Sequence, residues 1–344
     1  MHKKYRNGIT TLLAPVHAIV DFACAALFFA VLGERDIWYG MVLYNACAFL
    51  CQLPMGILAD RLNRNLPFAA IGCVLVAAGF ALKAVPLLAV IVAGLGNGAF
   101  HVGGGIEVLN GSETKAGALG IFVSPGAIGL YFGRVFSEPM LSLPWLLPAV
   151  LLLFAGALML IGRTSLRAGS GNAELSLALP KGGALRLALL FAVVALRSFM
   201  GTTGAFAAGT LLSGLNPVLS GLIPVLCLAL GKAAGGLLAD RFRPVPTSVV
   251  SLGLCALLLF FPLHPVFALI ALFLFNMTMP LTLFASAKLW KGAKGGAFGL
   301  LTFALFIGIV PFMLGLAPAG APWLYGALAL ASLALLLPAL RRMR

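Results

Sequence analysis

His17 and Asp21 stand four residues apart in an otherwise apolar run, HAIVD, so a helix carries imidazole and carboxylate on one face. Side by side near the middle of a membrane, such a pair takes up or releases a proton as its surroundings change. Asn97 and His101 repeat the spacing in NGAFH, and His101 is expected to meet a proton or a substrate. Glu107, six residues past His101, falls on another face and closer to the cytoplasm, suited to gating, proton exchange or a snorkelling pair. Arg197 lies midway along an apolar run with no acid one turn away on its own helix. An unpaired guanidinium there is costly, and its planar fork suits a carboxylate, phosphate or phosphonate. The anion is either Asp21 or a substrate. Asn276 is a further polar residue of the same kind. Each has a competing structural role: a histidine or asparagine bonded between helices, or a permanent salt bridge.

These side chains need a membrane to hold them. The 344 residues are 62% hydrophobic and 9% charged, with mean hydropathy +1.09. A soluble domain carries about 25% charged residues. Apolar runs of about 20 residues recur from end to end, each long enough to cross a bilayer as a helix. Alternation of apolar and polar residues, the mark of a membrane barrel, is missing. The pattern predicts an all-α membrane protein with 12 transmembrane helices. Residues 1–162 form one six-helix bundle, 163–184 a Ser- and Gly-rich cytoplasmic linker, and 185–344 a second six-helix bundle.

The net charge of +14 is a matter of topology. Alternate loops and both ends collect nearly all Lys and Arg, and the opposite loops hold only Arg35 and Lys83. Both termini are therefore expected in the cytoplasm, with no nucleic-acid partner. The six cysteines lie in apolar runs without paired metal-ligand spacing. Cys47 and Cys51 are one turn apart but have no His or acid beside them, so neither a metal site nor a cofactor is expected. Ser112, Ser124 and Ser198 are the conceivable nucleophiles, with His17 or His101 as base, but none sits in a nucleophile-elbow motif.

The chain is written twice. GILADRLNR carries Asp60, Arg61 and Arg64, and GLLADRFRP carries Asp240 and Arg241 in matching places, 180 residues on. KAGALGIF and KGGAFGLL follow at an offset of 179, as do Asn97 and Asn276. Carried back to the first span, the offset sets His17 against Arg197 and Asp21 against Gly201. Parallel repeats of this kind belong to two-half transporters.

GILADRLNR resembles the loop signature between spans 2 and 3 of the major facilitator superfamily, with Gly56, Leu58, Asp60, Arg61 and Arg64 in place. Asn63 replaces the usual glycine, and Asn65 stands where a basic residue is common. The second copy matches at Gly236, Leu238, Asp240 and Arg241. The resemblance covers the whole chain. It implies two pseudo-symmetric six-helix bundles, spans 1, 4, 7 and 10 lining a central path, and loop aspartates that bind the neighbouring half to hold the cytoplasmic side shut. Asp60, Arg61, Arg64, Asp240 and Arg241 are the gating residues on this account. HAIVD and GLGNGAFH are similar to the fosmidomycin-resistance branch of exporters, although Val102-Gly103 replace that branch's Pro-Glu. SPGAIG, from Ser124 to Gly129, loosely resembles an antiporter signature. Together they imply a monomeric secondary transporter of the bacterial inner membrane, exporting a small anionic or zwitterionic solute against protons. Arg197, His101, Asn97, Asn276 and His17 are the substrate-binding candidates, and Asp21, His17 and Glu107 the proton-coupling ones. A uniporter, a symporter for uptake, a transporter-like receptor and an intramembrane enzyme are the alternatives.

Overall fold

The computed structural model describes residues 2–167, 174–203, 206, 209–261, 264–316 and 322–341. Among these every regular element is helical. Gly204, the middle of the linker and the tail residues Arg342 and Arg344 lie outside the described residues.

In chain order the helices are α1 (His2–Val31), α2 (Ile37–Asn45), α3 (Gln52–Leu62), α4 (Asn65–Ala81), α5 (Pro86–Gly111), α6 (Gly117–Val123), α7 (Pro125–Val135), α8 (Ser137–Leu141) and α9 (Leu146–Arg167). They continue with α10 (Gly183–Thr202), α11 (Gly209–Leu212), α12 (Pro217–Phe242), α13 (Pro244–Phe260), α14 (Val266–Asn276), α15 (Thr278–Leu289), α16 (Lys294–Met313) and α17 (Pro322–Leu340). Among the described residues, ten helical segments are long and apolar enough to cross a membrane. The expected spans 3 and 9 are α4 and α13, apolar helices of 17 residues, at the lower end of crossing length. On α9, Leu151 and Leu158 are buried while Leu152, Leu153 and Leu160 are exposed. That outer face is still apolar, so hydrocarbon is its natural solvent.

Three expected spans are not continuous α-helices, and a proline accompanies each interruption. Between α2 and α3 the chain makes a π-helical turn, Ala46–Leu50, four residues before Pro54. α6 gives way to α7 at Ser124-Pro125. α14 and α15 meet at Met277, and Pro280 has no N–H to offer the carbonyl of Asn276. Pro15, Pro224 and Pro311 lie inside α1, α12 and α16 without dividing them, so proline permits a break without dictating one.

The repeat extends to backbone detail. Asn63 closes α3 with φ 52 and ψ 41, in the left-handed region. Asparagine tolerates that conformation, which accounts for its standing in for glycine. The equivalent residue of the second copy, Arg243, closes α12 with φ 73 and ψ 154, a region open almost only to glycine.

Contacts divide the chain into two compact units. The first comprises Met1–Glu113, Pro125–Ala178 and Trp290–Phe303, and the second Thr114–Ser124, Leu179–Leu289 and Ala304–Arg344. Each unit thus takes in a segment from the other half of the sequence. In the first unit Gly56 and Gly295 meet backbone to backbone, and a Cβ on either would strike the other's carbonyl. In the second, Gly236 packs in the same way on Ala116 and Gly117.

Arg243→Gly should relieve the positive φ and raise thermal stability by about 1 kcal/mol, the cost of one such residue less glycine's extra chain entropy. A thermal-shift comparison with the unmodified protein checks this, and an unchanged or lower Tm counts against it.

Candidate functional site

Polar side chains gather at one place in the first unit. α1 brings Nε2 of His17 within 3.1 Å of Oδ2 of Asp21. α5 completes the group. Nδ2 of Asn97 donates to Oδ1 of Asp21 at 2.7 Å, and Nε2 of His101 lies 2.7 Å from Nε2 of His17. The two imidazoles stand nearly perpendicular, at 87°. Nδ1 of His101 is 2.9 Å from the backbone oxygen of Asn97. A carbonyl only accepts, so Nδ1 carries the hydrogen, and Nε2 of neutral His101 turns a lone pair toward His17. His17 answers with the hydrogen on its own Nε2, shared between His101 and Asp21. His17, Asp21 and Asn97 are buried, and the side chain of His101 keeps 14% of its surface.

α7 holds the group from behind. A Cβ at Gly126 would collide with Oδ2 of Asp21 and Nε2 of His17, so only glycine lets the backbone come this close.

The second unit carries different chemistry at the matching positions. Arg197 on α10 is buried, and its NH2 donates to Oγ1 of Thr278 at 2.9 Å. Oγ1 of Thr282 lies 3.4 Å from NH1 and 3.5 Å from NH2. Both threonines give their own hydrogens to carbonyls three residues back, Phe275 at the end of α14 and Met279 in α15, which turns oxygen lone pairs toward the guanidinium. Nε of Arg197 is buried and has no hydrogen-bond partner among the described residues. Asp240 is the one side-chain carboxylate in the sequence of this unit, and its oxygens are engaged elsewhere. Within the unit, then, the cation meets hydroxyls and no anion.

Other expected residues do not join these clusters. Glu107 is buried and accepts from Nδ2 of Asn65 on α4. Asn276 turns its amide back to the carbonyl of Leu272 on its own helix. Its counterpart Asn97 has Asp21 to bond to, whereas the repeat places Gly201 opposite Asn276. Arg134 and Glu138 are four residues apart but stand on different helices, α7 and α8. Arg134 lies over the ring of Phe29 instead, 5.2 Å from its centroid. Ser124 bonds to the carbonyls of Gly120 and Ala229, and Ser198 to that of Leu305. Thr278 and Thr282 are absent from the sequence reading. Their signal is two hydroxyls one turn apart, close to Asn276 in an apolar run.

The loop aspartates cap helices that come from the other half of the sequence. Oδ1 and Oδ2 of Asp60 accept from the amides of Gly295 and Gly296 at the start of α16, both at 2.9 Å. Asp240 accepts from Ala116 and Gly117 at the start of α6, at 2.6 and 3.0 Å. A helix N-terminus offers free N–H groups and a positive dipole end, so a carboxylate fits it. Asp60 is buried and Asp240 exposed, while Arg61, Arg64 and Arg241 face outward.

Burial ranks the two caps. Asp60→Asn should cost about 1.5–3 kcal/mol locally, the worth of bonds to a charged acceptor, and Asp240→Asn less than about 1 kcal/mol. Hydrogen exchange by mass spectrometry checks this: peptides covering 294–300 should exchange at least tenfold faster in the first variant. Peptides covering 115–121 should change less in the second.

Neither a family model nor a curated protein matches the chain by sequence. Solved structures match nearly all of it. The fucose:proton symporter of E. coli superposes with TM-score 0.65 at 14% identity, over 96% of this chain and 98% of its own. A second structure of a fucose transporter of the major facilitator superfamily, in the outward conformation, gives TM-score 0.60 at 15% identity over 96% and 97%. A bacterial homologue of the iron transporter ferroportin, outward-facing, gives TM-score 0.62 at 16% identity over 96% and 97%. At these identities the likeness is one of architecture, and the chain has the major facilitator fold.

Proposed function

We propose that the protein is a secondary transporter of a small anionic or zwitterionic solute, working by alternating access and coupled to protons. Arg197 carries the reading. It is a buried guanidinium in a unit with no free carboxylate, held by two hydroxyls and with its Nε unengaged. An anion arriving from outside the unit stabilises such a group, and a solute carboxylate, phosphate or phosphonate supplies two oxygens in the geometry the fork needs. Thr278 and Thr282 hold the fork in place. Asp21 and His17 are the proton-handling pair, with His101 and Asn97 bracing them.

Asp60 and Asp240, with Arg61, Arg64 and Arg241 around them, form the gate. Their caps must open and re-form as the two faces alternate, which favours bonds of moderate strength over permanent ones. The protein functions as a monomer in the bacterial inner membrane with both termini in the cytoplasm. Export follows from the likeness of HAIVD and GLGNGAFH to exporters; uptake by symport is the alternative.

A thermal-shift screen of organic anions, phosphonates and zwitterions identifies the solute, because a ligand of the folded state raises its Tm. Counterflow and proton-gradient-driven transport in proteoliposomes then test the roles. Arg197→Ala should weaken solute binding about a hundredfold or more, in line with about 3 kcal/mol for a truncated buried charge pair. Arg197→Lys should recover only part of it. Asp21→Asn should keep counterflow while losing accumulation driven by a pH gradient. Full binding by Arg197→Ala would remove the central assignment, and the sign of the gradient that drives accumulation separates export from uptake.

A further inference from the structure

We infer that His17, Asp21 and His101 form a binding site for a single first-row divalent metal ion of the Zn²⁺, Co²⁺ and Fe²⁺ class. The inference concerns the first unit alone and goes beyond the solute reading, which rests on Arg197.

The donor atoms converge. Nε2 of His17 lies 2.7 Å from Nε2 of His101 and 3.1 Å from Oδ2 of Asp21, and Nε2 of His101 is 3.9 Å from the other carboxylate oxygen, Oδ1; taken one atom per residue, the donors lie within 4.8 Å of one another. Among the described residues these three are the His, Cys, Asp or Glu side chains grouped closely enough to share an ion. Metal bonds of about 2.0–2.1 Å place neighbouring ligand atoms about 3.0–3.4 Å apart, for right-angled and tetrahedral arrangements respectively. The two His17 contacts lie close to that range, and the separation of His101 from Asp21 must shorten by about half an ångström or more to join them. The hydrogen on Nε2 of His17 occupies the place between the two ring nitrogens, and an ion entering the group takes that place. Two imidazoles and one carboxylate suit zinc and ferrous iron and leave room for water or another ligand.

The supporting groups are those a metal site needs. A ligating histidine holds its ring by donating its other N–H, usually to a carbonyl or carboxylate. His101 does so to the backbone oxygen of Asn97. The side chain of the same Asn97 donates to Oδ1 of Asp21 and orients the carboxylate. One residue therefore aligns two of the three ligands. His17 and Asp21, one turn apart on α1, form a chelating pair on a rigid element, and Gly126 closes the space behind them. His101 is the most exposed of the three ligands, so the ion would reach the group from its side.

The test uses the full-length protein in detergent, purified without a polyhistidine tag, stripped with chelator and titrated with CoCl₂ in the absence of solute. One equivalent of Co²⁺ should develop the intense visible bands of four- or five-coordinate cobalt, and ZnCl₂ should abolish them. His101→Ala and Asp21→Asn should each weaken binding at least tenfold, and Asn97→Ala should weaken it about 10–100-fold with all three ligands intact. Gly126→Ala should do likewise by crowding Asp21 and His17. Arg197→Ala should bind Co²⁺ as the unmodified protein does. If the unmodified protein keeps only the pale spectrum of hydrated cobalt, the site does not exist, whether or not the variants fold. Bands that persist in folded His101→Ala would equally overturn it. Either result leaves the solute assignment at Arg197 standing, and loss of solute binding in Arg197→Ala leaves the metal site standing.

Discussion

Hydrocarbon cannot accept or donate a hydrogen bond, and that single constraint organises this chain. Where the outer faces are apolar, each polar group must find its partner inside the protein or be carried where water reaches. The π-helical turn at Ala46–Leu50, the Ser124-Pro125 junction and the Met277 junction all leave backbone groups outside the regular α-helical pattern. Their neighbours are polar. The carbonyl of Phe49 accepts from Thr302, Ser124 bonds to Ala229, and Thr278 adjoins Met277 and meets Arg197. Irregular backbone and side-chain chemistry therefore occupy the same short stretches.

Duplication supplies a scaffold with paired positions, and the two copies then diverge where chemistry is needed. His17 and Asp21 become Arg197 and Gly201, whereas Asn97 is kept as Asn276. The result is a buried cluster of histidine, aspartate and asparagine in one unit and a buried guanidinium held by hydroxyls in the other. A symmetric pair of identical sites would provide two of one function. The observed pair provides two different electrostatic environments on matching helices.

Much of this is legible in the sequence. Composition and run length make the chain a membrane protein of many helices, and the repeat offsets align Asp60 with Asp240 and Asn97 with Asn276. The spacing in HAIVD brings His17 and Asp21 to one face because i and i+4 are neighbours on any helix. Contacts between distant segments are another matter. Nothing local tells His101 that its ring will meet His17, 84 residues away. Thr278 and Thr282 look like ordinary helix-tolerated hydroxyls until Arg197 is seen beside them. The helix breaks escape a hydropathy reading because an apolar residue is equally apolar in an α-turn and a π-turn. Pro54, Pro125 and Pro280 mark them, while Pro15 and Pro224, with the same chemistry, mark nothing.

The exchange of segments between units bears on how the protein is made. A ribosome delivers Asp60 long before Gly295 and Gly296, so the carboxylate waits for its cap through more than half of synthesis. The first unit is complete only when 290–303 have arrived, and the second needs 114–124, made much earlier. Most of the second unit has therefore been made before the first is finished. Early helices thus await late partners, and the halves of the gene, expressed apart, would each yield a bundle lacking one of its own pieces.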